Sequence, residues 1–156
     1  MSPKLKAFYA KLRELPSFDG LRPSRINAVN CEGDNALHIA VRWDDAEAAQ
    51  LLIRSGINVN QPGDLGYTPL HEACARGNLA MVKLLVKHGA DVHALSEGNA
   101  PFTIARFMKK DHICEYLGPV MKKRQQLDPK VWTRARINQL RNEIRRLERG
   151  LGAKRV

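Results

Sequence analysis

The sequence predicts an all-α solenoid, a short helix-turn-helix unit copied along the chain, followed by a basic helix. Three observations predict it. An eight-residue pattern recurs three times at a nearly constant spacing, and glycines stand where successive helices must stop. Almost all of the formal net charge of +10 is confined to the last quarter of the 156 residues.

The best-formed copy runs from Gly66 to Val92. Thr68 is placed to cap a first helix, and Pro69 fits its first turn, where the missing N–H is not needed. His71, three residues past the cap, can reach back to Thr68 as in a capping box. Gly77 and Gly89 follow the two helices and supply the left-handed conformation that ends them. An upstream copy, Gly33-Asp34-Asn35-Ala36-Leu37-His38-Ile39-Ala40, lies 33 positions earlier, with Leu51-Leu52 and Gly56 in register with Leu84-Leu85 and Gly89. A downstream copy, Gly98-Asn99-Ala100-Pro101-Phe102-Thr103-Ile104-Ala105, lies 32 positions later, with Leu117 in the place of Leu85.

Turn, helix and helix at a period near 33 resembles the ankyrin repeat, and the likeness covers roughly residues 27 to 118. The fold class is then an ankyrin-repeat solenoid, helix-turn-helix repeats with hairpin loops. Its expected divisions are 1–26, a degenerate N-terminal capping repeat; 27–60, repeat one; 61–93, repeat two; 94–118, a degenerate repeat three; and 119–156, a basic C-terminal helical extension. Such a stack needs no large central core, because each repeat buries its face on its neighbours.

Within that frame each segment has its own reading. Leu5, Phe8, Tyr9, Leu12 and Leu15 fall on one helical face, the pattern of an end cap, before Pro16, Gly20 and Pro23 break what would be a second helix. A membrane-surface helix is the alternative, opposed by the shortness of the apolar stripe. In repeat one, Asp44 replaces the helix-ending glycine, a substitution Asp tolerates better than most residues. Repeat three loses both the capping hydroxyl and the histidine. Phe102, Ile104, Phe107, Met108, Ile113, Cys114 and Leu117 make it apolar for a terminal unit, so a cover is expected.

The resemblance implies that hairpin tips and first helices of successive repeats line a concave groove that binds a partner protein. Carried over position by position, the groove candidates are Glu32, Asp34, Arg42 and Trp43 from repeat one and Asp64, Leu65, Tyr67 and Arg76 from repeat two. Repeat three adds Asn99, with Ser96, Glu97, Phe107 and Met108. Trp, Tyr and Arg dominate binding hot spots, which puts Trp43, Tyr67, Arg42 and Arg76 first. The plain alternative is that Trp43 packs on its own repeat and Tyr67 covers a hairpin.

His38 and His71 read as structural capping residues. Cys31, Cys74 and Cys114 form no paired motif, and the last two read as small buried apolar groups in a reducing compartment. His112 and Cys114 lack a second ligand pair, so no metal is expected. Phosphate-binding, dinucleotide-binding, nucleophile-elbow and metalloprotease motifs are absent. The expected function is therefore a non-enzymatic interaction module, an adaptor, scaffold or inhibitor, without cofactors. No apolar run is long enough to span a bilayer and no signal-like segment opens the chain, so a soluble cytoplasmic protein is expected, with the nucleus or delivery into a host cell as alternatives.

Residues 119–156 carry 12 Lys+Arg against 3 Asp+Glu, while residues 1–118 carry 14 against 13. Asp128-Pro129 reads as the start of a helix running to about Arg149. Along it Ile137, Leu140, Ile144, Leu147 and Leu151 form a narrow apolar seam. Lys130, Arg134, Arg141 and Arg145 align within about 60° beside it. The seam is expected to dock on the apolar end of repeat three or to self-associate, with an antiparallel pair and a different partner helix both open. A parallel homodimer is the least favoured, because it opposes Arg136 with Arg141 and Glu143 with Glu148. The basic stripe is either solvated or meets an acidic protein or nucleic acid. Trp132 is the one aromatic residue near it, fewer than a single-strand binder uses.

Overall fold

The computed structural model describes residues 2–18 and 26–152, among which eight α-helices and two single-turn 3-10 segments account for the regular structure. The helices are α1 (Pro3–Arg13), α2 (Ala36–Arg42), α3 (Ala46–Arg54), α4 (Pro69–Arg76), α5 (Leu79–Lys87), α6 (Pro101–Phe107), α7 (Asp111–Leu127) and α8 (Val131–Gly152). Three antiparallel pairs, α2/α3, α4/α5 and α6/α7, stack in series, with α2 against α4 and α4 against α6. The chain is thus all-α, and its repeats follow one another as the spacing requires.

Each pair begins and turns for the same local reasons. The Asn35 side chain accepts from the N–H groups of Leu37 and His38, opening α2 at 3.1 and 3.4 Å. Thr68 opens α4, with Pro69 in its first turn. Asp44, Gly77 and Lys109 occupy equivalent positions after α2, α4 and α6, and all three adopt positive φ (56°, 78° and 54°). Only the middle pair uses the glycine that relieves this conformation. The side-chain amide of Asn78 donates to the Asp44 carboxylate, tying that turn to the next repeat.

The two capping histidines do the same work one layer apart. Nδ1 of His38 accepts the backbone N–H of Asn35, and Nδ1 of His71 accepts that of Thr68, both at 3.1 Å. The opposite ring nitrogen is therefore the protonated one. It donates to the next hairpin, His38 Nε2 to the Tyr67 carbonyl at 3.0 Å and His71 Nε2 to the Asn99 carbonyl at 3.1 Å. A second ladder links the loops: the Asn58 N–H donates to Asn27 Oδ1 and the Asp91 N–H to Asn60 Oδ1, each at 2.7 Å.

Leu37, Leu52, Leu70, Leu85, Ile113 and Leu117 are fully buried, and alanines at the matching places 40, 73 and 105 let the first helices approach closely. At the N-terminal end α1 lays Leu5, Phe8, Tyr9 and Leu12 into this core beside α3. Lys4 lies 3.6 Å from Asp45 and 3.5 Å from Glu47. Gly20 and Pro23, where the sequence breaks a second helix, lie outside the described residues.

The C-terminal end departs from expectation. α7 runs through Gly118 and Pro119 without a break and, at 17 residues, is two turns longer than α3 or α5 at 9. Arg124 on the added length donates to the Ala90 carbonyl at 2.7 Å. Asp128 closes α7 and also leads into α8: its carboxylate accepts the Lys130 N–H at 3.2 Å and pairs with Arg134 at 2.8 Å, and its carbonyl accepts the Val131 N–H at 3.0 Å. α8 then turns back to the single turn Asp64–Gly66 in repeat two. It sets Trp132 edge-on to His93 at 4.7 Å, and Ala135 and Gln139 are buried. The apolar seam expected to make the contact does not make it: Ile137, Leu140, Ile144 and Leu147 are 44%, 42%, 55% and 67% exposed. Phe107 and Met108, at the end of α6, are exposed as well.

Candidate functional site

The groove candidates are positioned by a close approach between two repeats. Gly63 lies so near the first repeat that a Cβ on it would stand 1.9 Å from Asp34 Oδ1 and 2.9 Å from His38 Nε2. No other residue fits there without displacing Asp34. The neighbouring Asp64 N–H donates to Asp34 Oδ1 at 3.3 Å, and the Gly63 N–H donates to the Tyr67 carbonyl at 2.7 Å. The hairpin carrying Leu65 and Tyr67 is thereby fixed over the start of α2.

Asp34 is fully buried, and Arg42 Nη1 donates to its Oδ2 at 2.6 Å. From Arg42 the charges alternate across the first helices. Arg42 Nε lies 3.6 Å from Glu72 Oε1, which also accepts from Arg76 Nε at 2.9 Å. The inner pair is structural, because Asp34 has no water to turn to. The Glu72–Arg76 pair lies at the surface one helical turn apart and contributes about 0.3–0.5 kcal/mol. Arg76 is accordingly free to change partners.

Tyr67 lies half-buried with its ring 5.3 Å from that of His71. Burial, and then Glu72 and Glu97, push its phenol above the ordinary value, so it stays a neutral hydroxyl donor. Leu65, Glu32 and Asp64 are exposed, Leu65 at a positive φ of 51°. The Asn99 carbonyl is taken by His71, and its amide donates weakly to the Glu97 carbonyl at 3.4 Å.

The structure brings together Asp34, Arg42, Asp64, Tyr67 and Arg76, and adds Glu72, which the sequence reading missed. Its signal was present: Ile39 and Ile104 hold the matching places, so a carboxylate there interrupts an apolar column. Trp43 is engaged elsewhere. Its ring meets Phe8 of α1 edge-on at 5.4 Å, with Lys11 Nζ 4.4 Å from the ring centroid. Lys130, just before α8, and Arg134, Arg141 and Arg145 on it are exposed, and Arg145 lines a cavity together with Leu65, Gly66 and Glu97 of the hairpin tips.

The titratable groups of the repeats are tuned by burial. The His71 imidazole is pushed down to about 4, and His38 is lowered in spite of the Asp34 carboxylate beside it. The buried Cys74 thiol is pushed up to about 12, first by burial and then by Cys114. Among the described residues no group of three or more His, Cys, Asp or Glu could hold a metal ion. His112 Nε2 lies 2.9 Å from the Gly77 carbonyl, a link between α7 and the preceding turn.

Stacked helix pairs, hairpins held by paired capping histidines, and a charge ladder across the first helices define an ankyrin-type solenoid. Residues 15–96 and 56–125 match the family described as ankyrin repeats (3 copies), and the chain belongs to the ankyrin repeat family. It is 32% identical over 91 residues to protein phosphatase 1 regulatory subunit 27 of Mus musculus, covering 58% of this chain and 59% of that one. It is 42% identical over 71 residues to the RelA-associated inhibitor of Mus musculus, covering 44% of this chain and 9% of the relative. To neurogenic locus notch homolog protein 1 of Xenopus tropicalis it is 30% identical over 110 residues, 69% of this chain and 4% of the relative. The chain thus spans between 4% and 59% of the length of these relatives. Ankyrin repeats are generally protein–protein interaction modules, and the family is typically non-enzymatic. Among the described residues no helix is long and apolar enough to cross a membrane.

Proposed function

We propose that this chain is a non-enzymatic adaptor or inhibitor that grips a partner protein in the groove between its hairpin tips and the first helices α2, α4 and α6. The observation that carries this reading is the alternating ladder Asp34, Arg42, Glu72 and Arg76, ending beside a half-buried tyrosine. Tyr67 and Leu65 offer apolar area with a hydroxyl, while Arg76, Glu72, Asp64 and Glu32 select charge. Asp34 and Asn99 position the hairpins, and Trp43 with Phe8 secures the end of the groove against α1. A reducing intracellular compartment suits three unpaired cysteines, one of them exposed.

The test is affinity capture from an extract of the source cell with the full chain and with a Tyr67→Ala/Arg76→Glu variant. The reading expects a partner lost by the variant while its melting temperature is kept. A set of partners indifferent to both substitutions ends it. A comparison truncated after Asp128 removes α8 and leaves the packing of α7 intact, which a cut at Gly118 does not.

A second reading, an anionic partner on α8, is favoured by the exposure of Lys130, Arg141 and Arg145, none with a carboxylate partner among the described residues. Trp132, set edge-on to His93 and 37% exposed, is a single ring, fewer than a single-strand binder uses. For nucleic acid, the check is binding to unrelated duplexes that falls steeply with added salt.

A further inference from the structure

The asparagine ladder that ties the loops together ends on a histidine. Asn27 and Asn60 each accept a backbone N–H from a later loop, that of Asn58 and that of Asp91, at 2.7 Å. His93 holds the next place in this register, 33 positions after Asn60. Its rung would be the N–H of residue 124, which lies inside α7 and is used by that helix. The imidazole is left over. It is fully buried, and neither ring nitrogen has a hydrogen-bond partner among the described residues. Trp132 of α8 closes over it, edge-on at 4.7 Å.

Little else holds α8 in place. Ala135 and Gln139 are buried beyond Trp132, but the Gln139 side chain bonds to Arg136 and Glu143 of its own helix. Further along, a cavity of about 710 Å³ separates Glu143, Arg145 and Glu148 from Leu65, Gly66 and Glu97. The contact at His93 is thus a large part of the docking, and the turn at Pro129 and Lys130 gives α8 an axis to swing on.

We infer that His93 is a proton-operated latch: α8 lies on the repeats while the ring is neutral and is released when the ring is protonated. A neutral imidazole already leaves a donor and an acceptor unmet here. The cation leaves two donors and a charge unmet, and lifting Trp132 lets water reach them. The surrounding charges do not reverse this. Asp91, whose carboxylate takes the backbone N–H of His93 at 2.9 Å, and Asp128, shared with Arg134, favour the cation, as does the Met121 carbonyl of α7. Arg124 of α7 opposes it, and burial outweighs them all, holding the ring below its ordinary 6.5. Because the docked value is the lower one, docking is complete above about pH 6.5 and weakens by up to about tenfold for each unit below it.

The latch does not depend on the groove reading, although release bares the turn Asp64–Gly66 that carries Leu65. The full chain is followed by NMR between pH 7 and 5, with amide exchange in α8 and α4 corrected for its intrinsic pH dependence and the His93 ring titrated in the same samples. The expected result is a His93 value below 6.5 and α8 protection that falls at least about threefold. His93→Asn, which restores the ladder residue and cannot titrate, keeps α8 protection level over that range. The amides of α4, which answer to His38 and His71, lose protection in both chains. Trp132→Ala uncovers the ring and raises its value toward 6.5, since docking and proton binding are reciprocal. That arm decides the matter if His93→Asn docks poorly at pH 7. A His93 value at or above 6.5, α8 protection unmoved by acid in the unaltered chain, an equal loss in a docked His93→Asn chain, or a ring value unmoved by Trp132→Ala overturns the proposal.

Discussion

A fully buried carboxylate needs partners for its charge, and Asp34 draws on two repeats to find them. Arg42 lies 2.6 Å away, the Asp64 N–H donates from the next hairpin at 3.3 Å, and His38 Nε2 stands 3.8 Å off. Arg42 is part-exposed and looks dispensable in a list of surface charges. Removing it leaves Asp34 buried with a neutral donor alone, and the expected loss for Arg42→Ala is about 1–3 kcal/mol in urea unfolding. A loss within about 0.5 kcal/mol, the ordinary range for a surface residue, contradicts the role given to Asp34. Residue type alone describes this neighbourhood incompletely in two ways. Trp43 has the chemistry of a binding anchor, but chemistry does not name the neighbour, and Phe8 lies 35 positions earlier in a helix whose docking no repeat register specifies. Glu72 was overlooked because it belongs to a column that is isoleucine in the other two repeats. The placement of Tyr67 on the hairpin and of Arg76 at the end of α4 was legible because both follow from the repeat register.

At the scale of elements, helix pairs were legible and the docking of α8 was not, for a physical reason. A cap, a core leucine and a turn glycine are each required inside one repeat, whatever lies beside it. The contact face of α8 answers instead to a surface assembled from His93 and the turn at Asp64–Gly66. Trp132, Ala135 and Gln139 fit that mixed surface, whereas hydrophobicity alone points to the seam 137/140/144/147. The small side chain of Ala135, only 2% exposed, is what lets the helix lie close. Ala135→Glu is therefore expected to lift α8 from the repeats, moving Trp132 emission to longer wavelength and opening the chain near residue 129 to proteases. Leu140→Glu, on the open face, is expected to do neither. If both variants behave alike, the assignment of the two faces is wrong.

For the whole molecule, cooperativity depends on how the layers are joined, since each repeat touches only its neighbours. His38 and His71 join them through hydrogen bonds to the next hairpin, and both are buried. Burial holds the folded His71 at about 4, below its ordinary 6.5, and lowers His38 and His93 in the same direction. A value depressed by folding means that the unfolded chain takes up the proton first. The contribution is complete above about pH 6.5 and is lost as the pH falls toward 4. His71 alone loses about 2 kcal/mol between pH 7 and 5, at 1.36 kcal/mol per unit below 6.5. In a chain of this size that lowers the melting temperature by about 4–8 °C, with proton uptake on unfolding. His71→Gln cannot titrate, so it starts less stable at pH 7 but falls less steeply on acidification. A melting temperature constant between pH 7 and 5 in the unaltered chain would show that these imidazoles are reached by water in the folded state, and the layers would then be joined by packing alone.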